Sequence, residues 1–134
     1  MGGSQAYRTF IRTELMPEVA RRYRTTSESA IVGESLAGLF VVETLALEPD
    51  LFDTYIAIDR SLWWNDGMLQ KRLIADPPRS VGRKRLFIGV SRDGAPGLDH
   101  ATLEAAFGGI GNLELHYREW PAETHATVYH PAAL

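Results

Sequence analysis

Apolar residues at Tyr7, Phe10, Ile11 and Leu15, then Val19 and Tyr23, recur at the three-and-four spacing of one helix face. Ser4 stands where an N-cap would start that helix. Pro17 lies inside the pattern and has no N–H to donate, which predicts a kink or break near Met16. Residues 29–33 form a short apolar run with β-branched members and read as a buried strand. From Leu36 to Leu47 the chain is apolar almost all the way round, the mark of a helix covered on several sides. A second strand is expected over residues 55–58, ended by Asp59, and a short amphipathic helix over 66–74, stopped at Asp76-Pro77-Pro78. A third strand falls at 85–90, followed by a helix from about Leu98 to Phe107 that Gly108, Gly109 and Gly111 close. Leu113, Leu115 and Tyr117 then alternate with Glu114, His116 and Arg118, so the last strand is half-buried and belongs at a sheet edge.

Continuous apolar strands alternating with helices imply right-handed βαβ units and a parallel sheet. The fold class is α/β, with about four strands and flanking helices. A chain of 134 residues allows one domain, 1–134, and no repeat or low-complexity tract divides it. The net charge of -3 argues against a general nucleic-acid or anionic-membrane binder. No apolar run approaches the ~20 residues that span a bilayer, and Met1-Gly2-Gly3-Ser4 opens no signal peptide. Zero cysteines exclude a disulfide scaffold and a thiolate metal site, and leave the compartment open. Neither a cofactor nor a metal is called for.

The chemistry concentrates at Gly33-Glu34-Ser35-Leu36-Ala37-Gly38, between the first strand and the apolar helix. A nucleophile elbow holds a serine at the tip of a sharp strand-to-helix turn, with small residues two positions either side. Gly33 and Ala37 meet that demand around Ser35. The helix N-terminus then offers backbone N–H groups, Leu36 first, to an oxyanion forming beside the serine. The rival reading, a phosphate-cradling turn, is poor because no lysine follows and no G-x-G-x-x-G is present.

A serine nucleophile needs a base, usually a histidine held by a carboxylate, in the chain order Ser, acid, His. His125 lies in a loop just past the last strand, where the carboxyl ends of parallel strands gather ligand sites. His116 falls on the polar side of a strand, His100 opens a helix, and His130 precedes Pro131 near the end of the sequence. For the acid, Asp93 follows the third strand directly, whereas Asp99 and Glu104 read as helix-start charges. A turn-former before Gly94 is the bland alternative for Asp93, and a bare Ser–His pair would need no acid.

Several segments together resemble the esterase family of α/β-hydrolases that groups esterase D with the enterochelin esterases. They are Phe10 through Pro17 with Arg22-Tyr23-Arg24-Thr25, the elbow Gly33 through Phe40, Pro49-Asp50-Leu51-Phe52, Asp59 through Trp64, and Glu123 through Val128. The resemblance implies a serine esterase acting through an acyl-enzyme, with Ser35 as nucleophile, His125 as base and Asp93, less firmly, as acid. It also implies a small-molecule ester substrate of the siderophore kind and a pocket flanked by Glu34, Leu36, Trp63 and Trp64, although core packing competes for one of the tryptophans. Thioester or peptide hydrolysis would use the same triad. Ala37 replaces the usual glycine, and Asp59-Arg60 stand where the family has Ser-Pro. Family members are about twice this length, and the strands they place before the first helix supply half the sheet and the second oxyanion donor. The sequence therefore reads as the C-terminal half of such an enzyme. The elbow strand, central in the family, is left with an open edge, which predicts a homo-oligomer or a missing N-terminal half. A catalytically weak association module is the alternative function.

Overall fold

The computed structural model describes residues 3–76, 82–94, 100–107 and 111–134. Pro77, Pro78, Leu98, Asp99, Gly108 and Gly109, to which the sequence assigns helix boundaries or charges, lie outside them, and His100 is described by its backbone alone. The elements run α1 (Ser4–Phe10), a π-helical turn (Ile11–Leu15), α2 (Met16–Arg22), β1 (Ala30–Glu34), α3 (Leu36–Leu47), β2 (Thr54–Ile58), α4 (Trp64–Ala75), β3 (Lys84–Ser91), α5 (His100–Phe107), β4 (Leu113–Trp120) and α6 (Tyr129–Ala132). All four strands are parallel and lie in the order β1-β2-β3-β4, so the fold is α/β with a sheet flanked by helices.

The first helix corrects two expectations. Ser4 is its first residue rather than its cap, because Gly3 holds the N-cap position without a side-chain hydrogen bond. Pro17 does not break it either. A π-helical turn ends just before Met16, and Pro17 occupies the first turn of α2, where its missing N–H costs nothing. The helix is tied to α3 by Arg8, which is buried and donates to Glu43 Oε2 at 2.7 Å and Glu48 Oε1 at 3.0 Å, while Arg12 also reaches Glu48.

The core lies between the sheet and α3 and α5: Val41, Val42 and Leu45 meet Tyr55, Ala57, Leu86 and Ile88, with Leu103 and Phe107 beside them. The sheet covers one side of α3 and α1 another, with the Tyr7 ring 5.3 Å from that of Phe40 and Arg8 on Glu43, so only Leu36 and Ala37 at its start are exposed. β1 lies at the sheet edge, in line with the open edge expected for it, and it is not the buried strand that its apolar run suggests. Among the described residues it pairs with β2 alone, and Val32 is 50% exposed. The apolar run at 29–33 is therefore half-covered, with exposed Phe10, Leu15 and Val19 on the helices that precede it. The element at 64–75 also departs from the regular helix expected there: Asn65, Asp66 and Gly67 have φ of 54, 56 and 64°, one left-handed turn before the regular helix begins. Among the described residues no helix is long and apolar enough to cross a membrane.

Candidate active site

Four successive strands deliver the candidate groups at one end of the sheet: Ser35 after β1, Asp59 after β2, Ser91 and Asp93 at the end of β3, and His125 after β4. That is the carboxyl edge, where the open ends of parallel strands leave a crevice.

Ser35 has φ 57° and ψ -121°, a conformation an L-residue adopts only when its surroundings impose it. The constraint comes from both sides of the turn. Ser35 N donates to Ile58 O at 3.0 Å, while Ser35 O accepts from Leu39 N at 3.0 Å and Ser61 N at 3.1 Å. The turn is so tight that a Cβ on Gly33 would stand 2.4 Å from the carbonyl oxygen of Ala37. At Gly38 a Cβ would come within 3.1 Å of backbone atoms of Arg60, Gly33 and Ile58. Glycine is thus required for close approach, and the small-residue pattern around Ser35 has its physical cause. The Leu36 N–H opens α3 within its unpaired first turn.

His125 does not meet the acid assigned from the sequence. Its Nδ1 lies 3.0 Å from Asp59 Oδ2, whereas Asp93 Oδ2 accepts from the His125 backbone N–H at 3.1 Å. Asp93 therefore holds the loop, and Asp59 holds the ring. Asp59 has a side chain only 1% exposed, and it accepts from Ser91 N at 2.6 Å and Ser91 Oγ at 2.5 Å as well as facing His125. A second loop contact, Arg92 N to Glu123 O at 3.1 Å, fixes the histidine loop against the end of β3. Gly94 packs beside this carboxylate, with room for no Cβ: one would stand 2.1 Å from Val90 Cγ1 and 3.4 Å from Asp59 Oδ1. Next to Asp59, Arg60 is buried, and that burial pushes its guanidinium down to about 10, partly offset by Tyr117 and Asp59, so it stays charged at neutral pH.

Ser35 Oγ is 3.4 Å from Ser61 Oγ, and no hydrogen bond joins it to the His125 ring. Catalytic hydrogen bonds are often long in an unliganded site and tighten with substrate. Trp63 and Trp64 both face outward, at 60% and 52% exposed, with ring centroids 6.0 Å apart, so neither packs in the core. Trp64 and Leu36 share a cleft beside the serine, and Glu34 is half-buried at the end of β1. The other histidines are elsewhere. His116 bonds Glu114 at 2.9 Å in a polar hollow with Glu28, Asp53, Arg83 and Arg85, and His130 is exposed on α6. Glu104 is exposed on α5. Sequence reasoning missed Asp59, although it carries the same signal as Asp93, an acid at the carboxyl end of an apolar strand.

The family profile described as "Putative esterase" matches residues 1–102. The chain belongs to that esterase family. It is 40% identical over 72 residues to the ferri-bacillibactin esterase BesA of Bacillus subtilis, a match covering 53% of this chain and 25% of that protein. Similarity to the siderophore enterobactin esterase of Emericella nidulans runs longer, 27% identity over 110 residues, or 80% of this chain and 32% of that protein. Among solved structures, the IroE-like serine hydrolase of Shewanella oneidensis superposes with a TM-score of 0.81 at 26% identity, covering 98% of this chain and 46% of the other. The chain thus spans about half the length of this solved relative, and its matches span a third or less of the curated ones.

Proposed function

We propose that this chain carries the catalytic apparatus of a serine esterase, with Ser35 as nucleophile, His125 as general base and acid, and Asp59 rather than Asp93 orienting the imidazole. The observation that carries this reading is the buried Asp59 carboxylate facing His125 Nδ1 at the strand end beside the Ser35 turn. With Nδ1–H donated to Asp59, Nε2 is the nitrogen free to accept a proton. Ser35 Oγ attacks the ester carbonyl carbon as its proton passes to Nε2, and the carbonyl oxygen takes up charge beside the Leu36 N–H. The ester C–O bond then breaks, and the alcohol leaves with the proton from His125. Water next attacks the acyl-enzyme, giving its proton to His125, and the carboxylic acid departs as Ser35 recovers its hydrogen. The names of the relatives favour siderophore esters as substrates.

A fluorophosphonate probe is expected to label Ser35 alone among the serines, since it alone among the described ones combines the strained turn with a helix N-terminus. An adduct mapped by mass spectrometry to Ser61 or Ser91, or none on folded protein, defeats the assignment. His125→Ala is expected to lower p-nitrophenyl acetate turnover by about 10³-fold or more, while His116→Ala stays within about twofold because it lies with the hollow's charges. Equal losses would mean that the wrong histidine has been chosen.

A second reading, association through the β1 edge, rests on the outer side of that strand, unpaired among the described residues, and on the exposed Val32, Phe10 and Leu15. A second copy related by a two-fold axis would cover it. Light scattering at micromolar concentration is expected to report a dimer or larger species, and a stable monomer would remove this reading.

A further inference from the structure

A cleft of about 390 Å³ runs along the outer side of α3, walled mainly by Leu36, Leu39 and Phe40 and by Trp64, Met68 and Leu69 of α4, with Glu43 and Arg72 as its charged members. Its volume falls within the range of small-molecule sites, roughly 300–1,000 Å³. We propose that this cleft is the acyl pocket of the esterase, seating the apolar chain of the acid half of the ester. The inference rests on the reading of Ser35 as nucleophile and adds the chemical class of its substrate.

Two walls tie the cleft to the serine. Leu36 follows Ser35 directly and carries the N–H beside which the carbonyl oxygen would rest. Trp64 N donates to Ser61 O at 3.0 Å, and the Ser61 hydroxyl is the one against Ser35 Oγ. The lining thus includes the residue after the nucleophile and, through Ser61, one hydrogen-bonded to the residue that faces it. The walls also settle which half of the ester belongs there. The departing alcohol must collect its proton from His125, so it leaves on the side of the loop after β4. No residue of that loop lines the cleft; α1, α3 and the 64–72 segment supply all of its walls. The acid half is the part left to occupy it.

The backbone at the mouth supports a binding role. Leu36, Trp64 and Met68 are more than half exposed, apolar surface that water covers at a cost unless a ligand takes its place. Asn65, which lines the cleft, and Asp66 adopt left-handed conformations that non-glycine residues hold only against strain. Strain of this kind collects where side chains are aimed at ligands.

The test uses two probes that differ only in acyl length, and it separates binding from turnover. In the Ser35→Ala protein, octanamide should bind saturably and shift tryptophan fluorescence, while acetamide should not. Met68→Glu, a change at an exposed position checked for folding by its melting curve, should abolish the shift by putting a carboxylate in the apolar wall. In the unmodified protein, p-nitrophenyl octanoate should exceed p-nitrophenyl acetate in kcat/KM by about tenfold or more, and Met68→Glu should bring that ratio close to one. No saturable octanamide binding, or equal turnover of the two esters, overturns the pocket. Octanamide binding with no turnover of either ester and no Ser35 labelling upholds the pocket and overturns the hydrolase reading instead.

Discussion

Asp59→Asn is expected to lower kcat for p-nitrophenyl acetate by about 10³–10⁴-fold with little change in KM, whereas Asp93→Asn should cost about tenfold or less. The argument turns on which hydrogens the imidazole can place. Asp59 accepts from Ser91 N and Ser91 Oγ and still has Oδ2 facing His125 Nδ1, so it favours the tautomer with hydrogen on Nδ1. An asparagine can keep its oxygen on Ser91 N only by turning its NH₂ toward Ser91 Oγ and His125. His125 must then present a bare Nδ1 and carry its hydrogen on Nε2, the atom that has to accept the Ser35 proton. Asp93, by contrast, accepts from the backbone N–H of His125 and otherwise faces only the exposed Arg92 guanidinium at 3.8 Å, and an asparagine oxygen can accept the backbone bond. If Asp93→Asn proved the more damaging of the two, the ring would have to leave Asp59 when substrate binds, and the assignment made here would be wrong.

Gly33→Ala is expected to destabilise the fold by about 3 kcal/mol and to remove Ser35 labelling with it. The added carbon would stand 2.4 Å from Ala37 O and 2.5 Å from Ala37 C, both backbone atoms that cannot swing aside as a side chain end would. Relief requires opening the turn, and the turn is what holds Ser35 at φ 57°. Gly111→Ala is the control, because a Cβ there meets nothing within 4 Å, and its effect should stay within about 0.5 kcal/mol. Urea unfolding followed by circular dichroism measures both. A Gly33→Ala midpoint close to that of Gly111→Ala would show the elbow to be far more pliant than its contacts indicate.

Asp59 stands where the family pattern has a serine, and the structure gives it a place at the histidine. Asp59 and Asp93 have the same local signature, each following an apolar strand. Nothing within a few residues of either could separate them.

The sequence by itself determined the alternation of strands and helices, because apolar spacing and turn residues act over a few positions and report on local backbone alone. It also determined the elbow, since glycine at 33 and small residues at 37 and 38 are demands of one turn. Tertiary structure decided the rest. β1 is half-exposed rather than buried because only β2 pairs with it among the described residues, and the apolar run at 29–33 does not encode that long-range pairing. Asp59 faces the imidazole because Asp93 and Arg92 fasten the His125 loop by its backbone, leaving the ring to extend over the neighbouring strand end. The cleft between α3 and α4 likewise depends on a left-handed turn at 65–67 and on where two helices come to rest. Each of these outcomes is set by contacts between residues distant in the chain, where periodicity and local propensity carry no information.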